Sequence, residues 1–293
     1  MEKAPESLAE LHGKIYEILQ FLDKTCKEQG LRYYLAYGTL LGAVRHKGFI
    51  PWDDDVDVWM PREDYMKLLE YLRTQNTDER FVINEGKYTP KGDRKSEFQM
   101  RILDTQTVVS RAFASTHINA CLWIDIFALD SFPAKKERSF IKKFKKRLLW
   151  FKIARCKNVV FDNGSLLSKM NKIIYFLHNK WGFFKHTLIE EKEVQKTLKL
   201  LRKYENDPTA DRYFTYAAVY LPTPKKCVFE KEWFAFSCEM PFEKQCFTVP
   251  TRYHEILTTL YNDYMTIPKE HERHTHEVKA VESTVDNQTA EKE

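Results

Sequence analysis

Four aspartates fall within six positions in Asp53-Asp54-Asp55-Val56-Asp57-Val58, with Trp52, Val56, Val58 and Trp59 set among them. The apolar neighbours of Asp57 read as a strand, and strand side chains alternate faces at about 3.3 Å per residue. Asp55 and Asp57 therefore project from one face, roughly 6–7 Å apart at the backbone. Two carboxylates at that spacing repel each other and resist burial unless a hard divalent cation sits between or beside them. A solvated acidic turn is the other reading, but it leaves the interleaved Trp and Val residues without a purpose. Asp55 and Asp57 are thus the expected metal ligands and catalytic carboxylates, with Mg²⁺ the expected ion and Mn²⁺ the alternative.

The segment upstream turns a metal expectation into a phosphate expectation. Leu31 to Tyr37 reads as a strand that enters Gly38-Thr39-Leu40-Leu41-Gly42, where the pattern becomes helical. A strand that ends in Gly-Thr at a helix start leaves backbone N–H groups and a hydroxyl facing an anion. Gly38 and Thr39 are expected to hold a phosphoryl group, which the metal neutralises from the other side. Arg45, His46 and Lys47 add positive charge in the next loop, and Arg45 and Lys47 are expected at the donor unless they are ordinary solvated loop residues. Further on, Asp125 stands in the apolar run Leu122-Trp123-Ile124-Asp125-Ile126-Phe127. A carboxylate buried there must be paired, protonated or metal-bound. It is read either as the third metal ligand and catalytic carboxylate or as the partner of Arg101, and Arg101 is itself a candidate contact to the donor.

The block Gly38 to Val58 resembles the signature of the LicD family, phosphocholine transferases of the nucleotidyltransferase-like superfamily to which fukutin and fukutin-related protein are related. Gly38 and Thr39 match the superfamily's Gly-Ser/Thr turn, and Asp55-Val56-Asp57 matches its acid-x-acid metal motif. The resemblance continues in Trp123 to Asp130, which implies Asp125 as the third carboxylate. It reappears from Val249-Pro250 through Tyr261-Asn262-Asp263-Tyr264-Met265 to Pro268. Two positions depart from it, Ala128 where Pro is usual and Asn262 where Gly is frequent. It implies CDP-choline as donor, a sugar hydroxyl of a cell-surface glycan of teichoic acid or lipopolysaccharide type as acceptor, possible lipid linkage of that glycan, and release of CMP. Another CDP-alcohol such as CDP-ribitol would preserve every one of these features. A membrane-surface scaffold without catalysis is the third reading, and the acidic triad weighs against it.

The elements that must position these residues follow from pattern. Leu8, Leu11, Ile15, Ile18, Leu19 and Leu22 recur at helical spacing, which predicts a leading helix over residues 1–30 that ends at Gly30. A catalytic core over 31–134 is expected to hold a helix at 62–73 and strands near 81–85, 97–103 and 121–127. Residues 135–205 read as a basic helical insertion, 206–270 as a return to the core with sheet near 225–249 and a last helix at 251–265, and 271–293 as a disordered tail. The fold class expected is α/β, a mixed-sheet nucleotidyltransferase-like core with that insertion.

With 293 residues, 43% of them hydrophobic, the chain is long enough for a substantial core. The acidic, polar start lacks a signal-peptide pattern, no apolar run reaches bilayer length, and six scattered cysteines make no CxxC pair. These point to a cytoplasmic protein. Lys135 to Lys157 carries eleven Lys or Arg against one acid, Glu137, so this short segment holds +10 while the whole chain is only +5. Phe140, Ile141, Phe144, Leu148 and Phe151 line one side of it. Such a helix suits peripheral contact with an anionic membrane at the inner face or a polyanionic glycan, or else packs with its charged side simply solvated. Residues 166–185 repeat the apolar theme. Nucleic acid is not an expected partner, because no recognised binding motif accompanies the basic run.

Overall fold

Leu11, Ile15, Ile18, Leu19, Leu22 and Cys26 fall on one stripe of a 3.6-residue repeat, and all are buried along helix α1 (Glu6–Gln29). Gly30 closes the helix at φ +63°, and the Leu31 N–H reaches back to the Cys26 carbonyl at 2.8 Å. That is the left-handed glycine stop that orphan helix carbonyls favour. The computed structural model describes residues 6–84, 99–113, 116–155, 195–215, 224–273 and 278–283.

Strand β1 (Tyr34–Leu35) is shorter than the expected 31–37 strand, because helix α2 (Tyr37–Arg45) begins at once. Strand β2 (Asp57–Pro61) runs directly into helix α3 (Arg62–Thr74). Val58, Trp59 and Met60 are all fully buried. A strand covered on both faces reads as a continuous apolar run instead of an alternating one, which is why this segment looks as it does. Short β3 (Phe81–Ile83) precedes the long hairpin strands β4 (Gln99–Phe113) and β5 (Thr116–Phe132).

Helix α4 (Glu137–Arg155) follows, then β6 (Arg212–Thr215), β7 (Val228–Glu230), β8 (Ser237–Phe242), β9 (Gln245–Pro250), helix α5 (Tyr253–Tyr261) and β10 (Val278–Ser283). Among the described residues one sheet has the order β1-β2-β5-β4-β10, with β3 on β4 and β6 between β5 and β7, while β8 and β9 form a separate antiparallel pair. Strands β2 and β5 run parallel, whereas β1–β2, β4–β5, β3–β4, β4–β10 and β6–β7 are antiparallel, so the sheet is mixed and the fold is α/β.

Three expectations change. The strands near 97–103 and 121–127 extend through 113 and back from 116, a hairpin hidden because the stretch around Thr105 to Thr107 is polar and is accommodated at a register shift between Asp104 and Val109. Lys231–Phe234, expected in sheet, is a 3₁₀ turn. The 271–293 segment, expected to be disordered, contains β10, which pairs antiparallel with Thr107 to Arg111 of β4. Val-Lys-Ala-Val is β-compatible, and the overlong β4 offers it an edge.

The chain divides into two units, residues Met1–Asp130 with Asp211–Glu293, and Ser131–Ala210. Within the second, Phe132 stacks on Phe140 at 4.8 Å between ring centres, and Phe144, Leu198 and Leu201 are buried. Lys142, Lys143, Lys145 and Lys146 of α4 are exposed. The apolar stretch 166–185 lies outside the described residues.

Candidate active site

The parallel pairing of β2 with β5 sets Asp57 directly opposite Asp125, Val58 opposite Ile126 and Pro61 opposite Leu129. The Asp125 N–H donates to the Val56 carbonyl at 2.9 Å. Two acids 68 residues apart in sequence thereby stand side by side, at the roughly 4.8 Å separation of neighbouring strands. On the other side of β2, the Ala36 N–H donates to the Asp57 carbonyl at 3.0 Å and the Asp57 N–H donates to Thr39 Oγ1 at 2.9 Å. Thr39 is buried, so its hydroxyl fixes the start of α2 against the acid strand.

The electrostatics report a crowd of acids. The Asp57 carboxyl is pushed well above the usual carboxylate range, first by burial, then by Asp55, Asp125 and Asp53, while Arg101 pulls it down. Asp125 accepts from Arg101 Nε at 2.7 Å on one oxygen and from Trp123 Nε1 at 3.1 Å on the other. The Arg101 guanidinium lies 4.5 Å over the Trp123 ring. The expected pairing of Asp125 with Arg101 is thus present, and it coexists with the convergence on Asp57. Among the described residues no three His, Cys, Asp or Glu side chains already stand in metal-holding geometry. The carboxylates are neighbours with Asp125 turned toward its two N–H donors.

Gly38 has no left-handed φ; that conformation belongs to Tyr37, at +42°. What Gly38 provides is space, since a Cβ there would lie 2.4 Å from Asp53 Oδ2. An anion, the Asp53 carboxylate, therefore already lies against the Gly-Thr turn. Arg45 donates from Nε to His46 Nε2 at 2.9 Å and from Nη1 to the Tyr264 carbonyl at 2.8 Å, which straps the segment after α5 onto α2. Lys47 is exposed and folds back to the Val44 carbonyl at 3.3 Å.

Three residues belong beside those expected. Asp53 is one; its place in the acidic run was visible, but its approach to Gly38 was not. Tyr261 is the second: burial and the charges of Asp53, Asp57 and Asp55 push its phenol up, while Arg45 pulls it down. The last turn of α5 thus faces the acids, and the closing Tyr-Asn-Asp-Tyr motif was the available signal. His12 is the third. Its ring stacks on Phe49 at 4.0 Å, and its Nε2 lies 2.7 Å from the Asp53 carbonyl, pinning the loop that leads into β2.

A mixed sheet sets the strand that begins at Asp57 parallel to the Asp125 strand, beside a Gly-Thr helix start. Residues 30–157 match the family model described as LicD/FKTN/FKRP, nucleotidyltransferase domain. Residues 30–157 thus carry a LicD-type domain. It is 29% identical over 269 residues to the lipopolysaccharide cholinephosphotransferase LicD of Haemophilus influenzae, covering 89% of this chain and 92% of that one. An uncharacterized Rickettsia prowazekii protein, RP689, is 38% identical over 58 residues, 20% of this chain and 22% of its own. The human ribitol 5-phosphate transferase FKRP is 44% identical over 48 residues, 16% of this chain and 10% of its own.

Proposed function

We propose that the protein is a Mg²⁺-dependent phosphotransferase that moves phosphocholine from CDP-choline to a sugar hydroxyl of a cell-surface glycan and releases CMP. The observation that carries this reading is the parallel register that sets Asp57 against Asp125, with Asp55 close enough to raise the Asp57 carboxyl. Surplus negative charge at Asp57 fits a divalent cation, and Asp55, Asp57 and Asp125 would hold it. When bound, the ion neutralises the donor diphosphate and stabilises charge on the leaving CMP. Mn²⁺ is the alternative ion.

The chain's own groups do the rest. Backbone N–H groups at the start of α2 receive the transferring phosphoryl group where the Asp53 carboxylate now lies, so donor entry displaces Asp53 from Gly38. Arg101 is a fixed cation one hydrogen bond from the acids and suits the donor diphosphate. Asp125, with an N–H bond at each oxygen, is held in a fixed orientation and orients what lies beside it. Tyr261, at the end of α5, stands near enough to Asp53, Asp57 and Asp55 to feel their charge.

CDP-ribitol is the second reading, favoured by the similarity to the ribitol 5-phosphate transferase. The exposed lysines of α4 suit peripheral attachment to an anionic inner membrane face, beside a lipid-linked acceptor. No described helix is long and apolar enough to cross a membrane. CMP release from CDP-choline, CDP-ribitol and CDP-glycerol, each with and without Mg²⁺ and with a delipidated lipopolysaccharide oligosaccharide as acceptor, tests the proposal. Metal-independent release, or none from any donor, refutes it.

A further inference from the structure

A cavity of about 740 Å³ opens between β1, β6, β7 and the 3₁₀ turn Lys231–Phe234, away from the Asp57 cluster. We propose that it binds a sugar ring of the acceptor glycan, an assignment that rests on the phosphotransferase reading above. Three observations carry it.

The first is charge. Arg32, Arg212 and Lys231 line the cavity together with Asp211, Glu230 and Glu232, three cations against three carboxylates. They are engaged with one another and their neighbours: Arg212 pairs with Glu230, and Arg32 donates to Asp64 at 2.6 Å. A balanced lining gives no net attraction to a nucleoside diphosphate, which needs surplus positive charge, and none to an isolated cation. It offers instead many fixed donors and acceptors of both kinds, the complement of a neutral polyhydroxylated ring.

The second is the floor. Tyr34, Tyr213 and Phe234 are buried under the cavity, with Tyr34 and Tyr213 packed on Phe234 at 5.4 and 5.5 Å between ring centres. Phe236, 75% exposed, lies in the chain between the lining residues Ala235 and Ser237. Its carbonyl accepts from the Thr251 N–H at 3.0 Å and from Thr251 Oγ1 at 3.3 Å, so a pinned backbone presents an open ring face. Leaving a phenyl group in water is unfavourable, and the apolar C–H face of a sugar ring would cover it.

The third is position. Asp57 and Trp59 are two residues apart on β2 and share a sheet face. Trp59 packs against Phe229 and Phe234 at 5.2 and 5.9 Å, and Tyr34 is its cross-strand partner. Trp59, against which this floor packs, therefore lies on the face that carries Asp57, displaced along β2 by about 7 Å, the length of two strand residues. A glycan that rests in the cavity can extend a neighbouring sugar hydroxyl toward the acids.

The test separates binding from chemistry. Saturation-transfer NMR without donor or metal, using delipidated lipopolysaccharide core oligosaccharide and separately a teichoic-acid repeat, should show wild-type protein binding at least one probe. Phe236→Ala and Lys231→Ala should each weaken it at least tenfold, Phe236→Tyr should restore it, and Asp57→Asn should leave it unchanged. In turnover assays Phe236→Ala should raise the acceptor KM and leave the donor KM alone. Binding of neither probe, or equal binding by wild type and both alanine variants, overturns the cavity assignment. Oligosaccharide binding with no CMP release from any donor instead refutes the phosphotransferase reading and leaves the saccharide site standing.

Discussion

The register that aligns Asp57 with Asp125 is locked one step beyond its last pair, Pro61 and Leu129, by Arg62 and Asp130, and removing that lock should cost more than any surface ion pair. Arg62 Nε and Nη2 donate to the two Asp130 oxygens at 2.7 and 2.8 Å, a two-pronged geometry with side chains only 3% and 1% exposed. Both charges have lost their water, so the quantity that matters is the penalty of leaving one of them alone. Asp130→Asn keeps the volume and strands a guanidinium; Arg62→Met strands a carboxylate. Each should cost about 3–5 kcal/mol, the penalty for halving a buried pair. At roughly 2–4 °C per kcal/mol for a chain of this size, the melting midpoint should fall by about 6–20 °C. The double variant Arg62→Met/Asp130→Leu should regain most of the loss, because an apolar pair needs no mutual compensation. Thermal and denaturant unfolding of the three variants measure this directly. Single variants that lose less than about 1 kcal/mol, the range of exposed pairs, would falsify the idea that this pair locks the register. A double variant whose loss is the sum of the singles would do the same.

Asp57→Asn should stabilise the metal-free protein by relieving repulsion from Asp55, Asp125 and Asp53, yet lower CMP release by at least ~100-fold, and unchanged turnover refutes the metal role. Gly42→Ala would bring a Cβ to 2.4 Å from the Gly48 carbonyl, a backbone atom, so it should cost about 1–3 kcal/mol, whereas at Gly38 the nearest group is a movable side chain; equal stability for Gly42→Ala and wild type contradicts this. Burial lowers the His12 imidazole below its ordinary 6.5 despite the opposing pull of the Asp53 carbonyl, Glu243 and Asp54. The unfolded chain therefore takes up the proton first, and stability that is complete above about 6.5 should decline as pH falls below it; a melting curve whose pH dependence from 8 to 5 is unaltered by His12→Gln contradicts this. Changing Lys142, Lys143, Lys145 and Lys146 to Glu should abolish salt-sensitive binding to vesicles containing anionic lipid, at about 1 kcal/mol per charge, and equal binding by both proteins returns α4 to a solvated face.

The parts of the fold that were legible are those where one local signal sufficed. Helical spacing marked α1, and its glycine stop was visible as Gly30. The apolar run around Asp57 marked a buried strand. What was not legible depended on partners distant in sequence. The β4–β5 hairpin passes through polar residues because buried Asp104 is compensated by Arg80, which donates to it at 3.0 and 2.8 Å, and no local pattern announces that pairing. Strand β10 forms because β4 overruns its neighbours and leaves an edge, a property of β4 and not of the tail.

The site divides the same way. Residue type and spacing pointed to Asp55 and Asp57, and burial in an apolar run pointed to Asp125, because a carboxylate among hydrophobic residues requires compensation wherever the chain goes. Arg45 and Lys47 were nominated on charge alone, and charge alone does not determine direction: Arg45 bonds to the Tyr264 carbonyl and Lys47 to its own helix end. Arg101 was nominated twice, for Asp125 and for the donor, and the structure shows the first. Its Nε is committed to Asp125 and its face to Trp123, while it also lowers the Asp57 carboxyl. A cation bonded to Asp125 that also pulls the Asp57 carboxyl down limits the repulsion between the two before any metal arrives. Its position on β4, opposite Asp125 in the antiparallel register, makes the same sheet that creates the repulsion supply part of its relief.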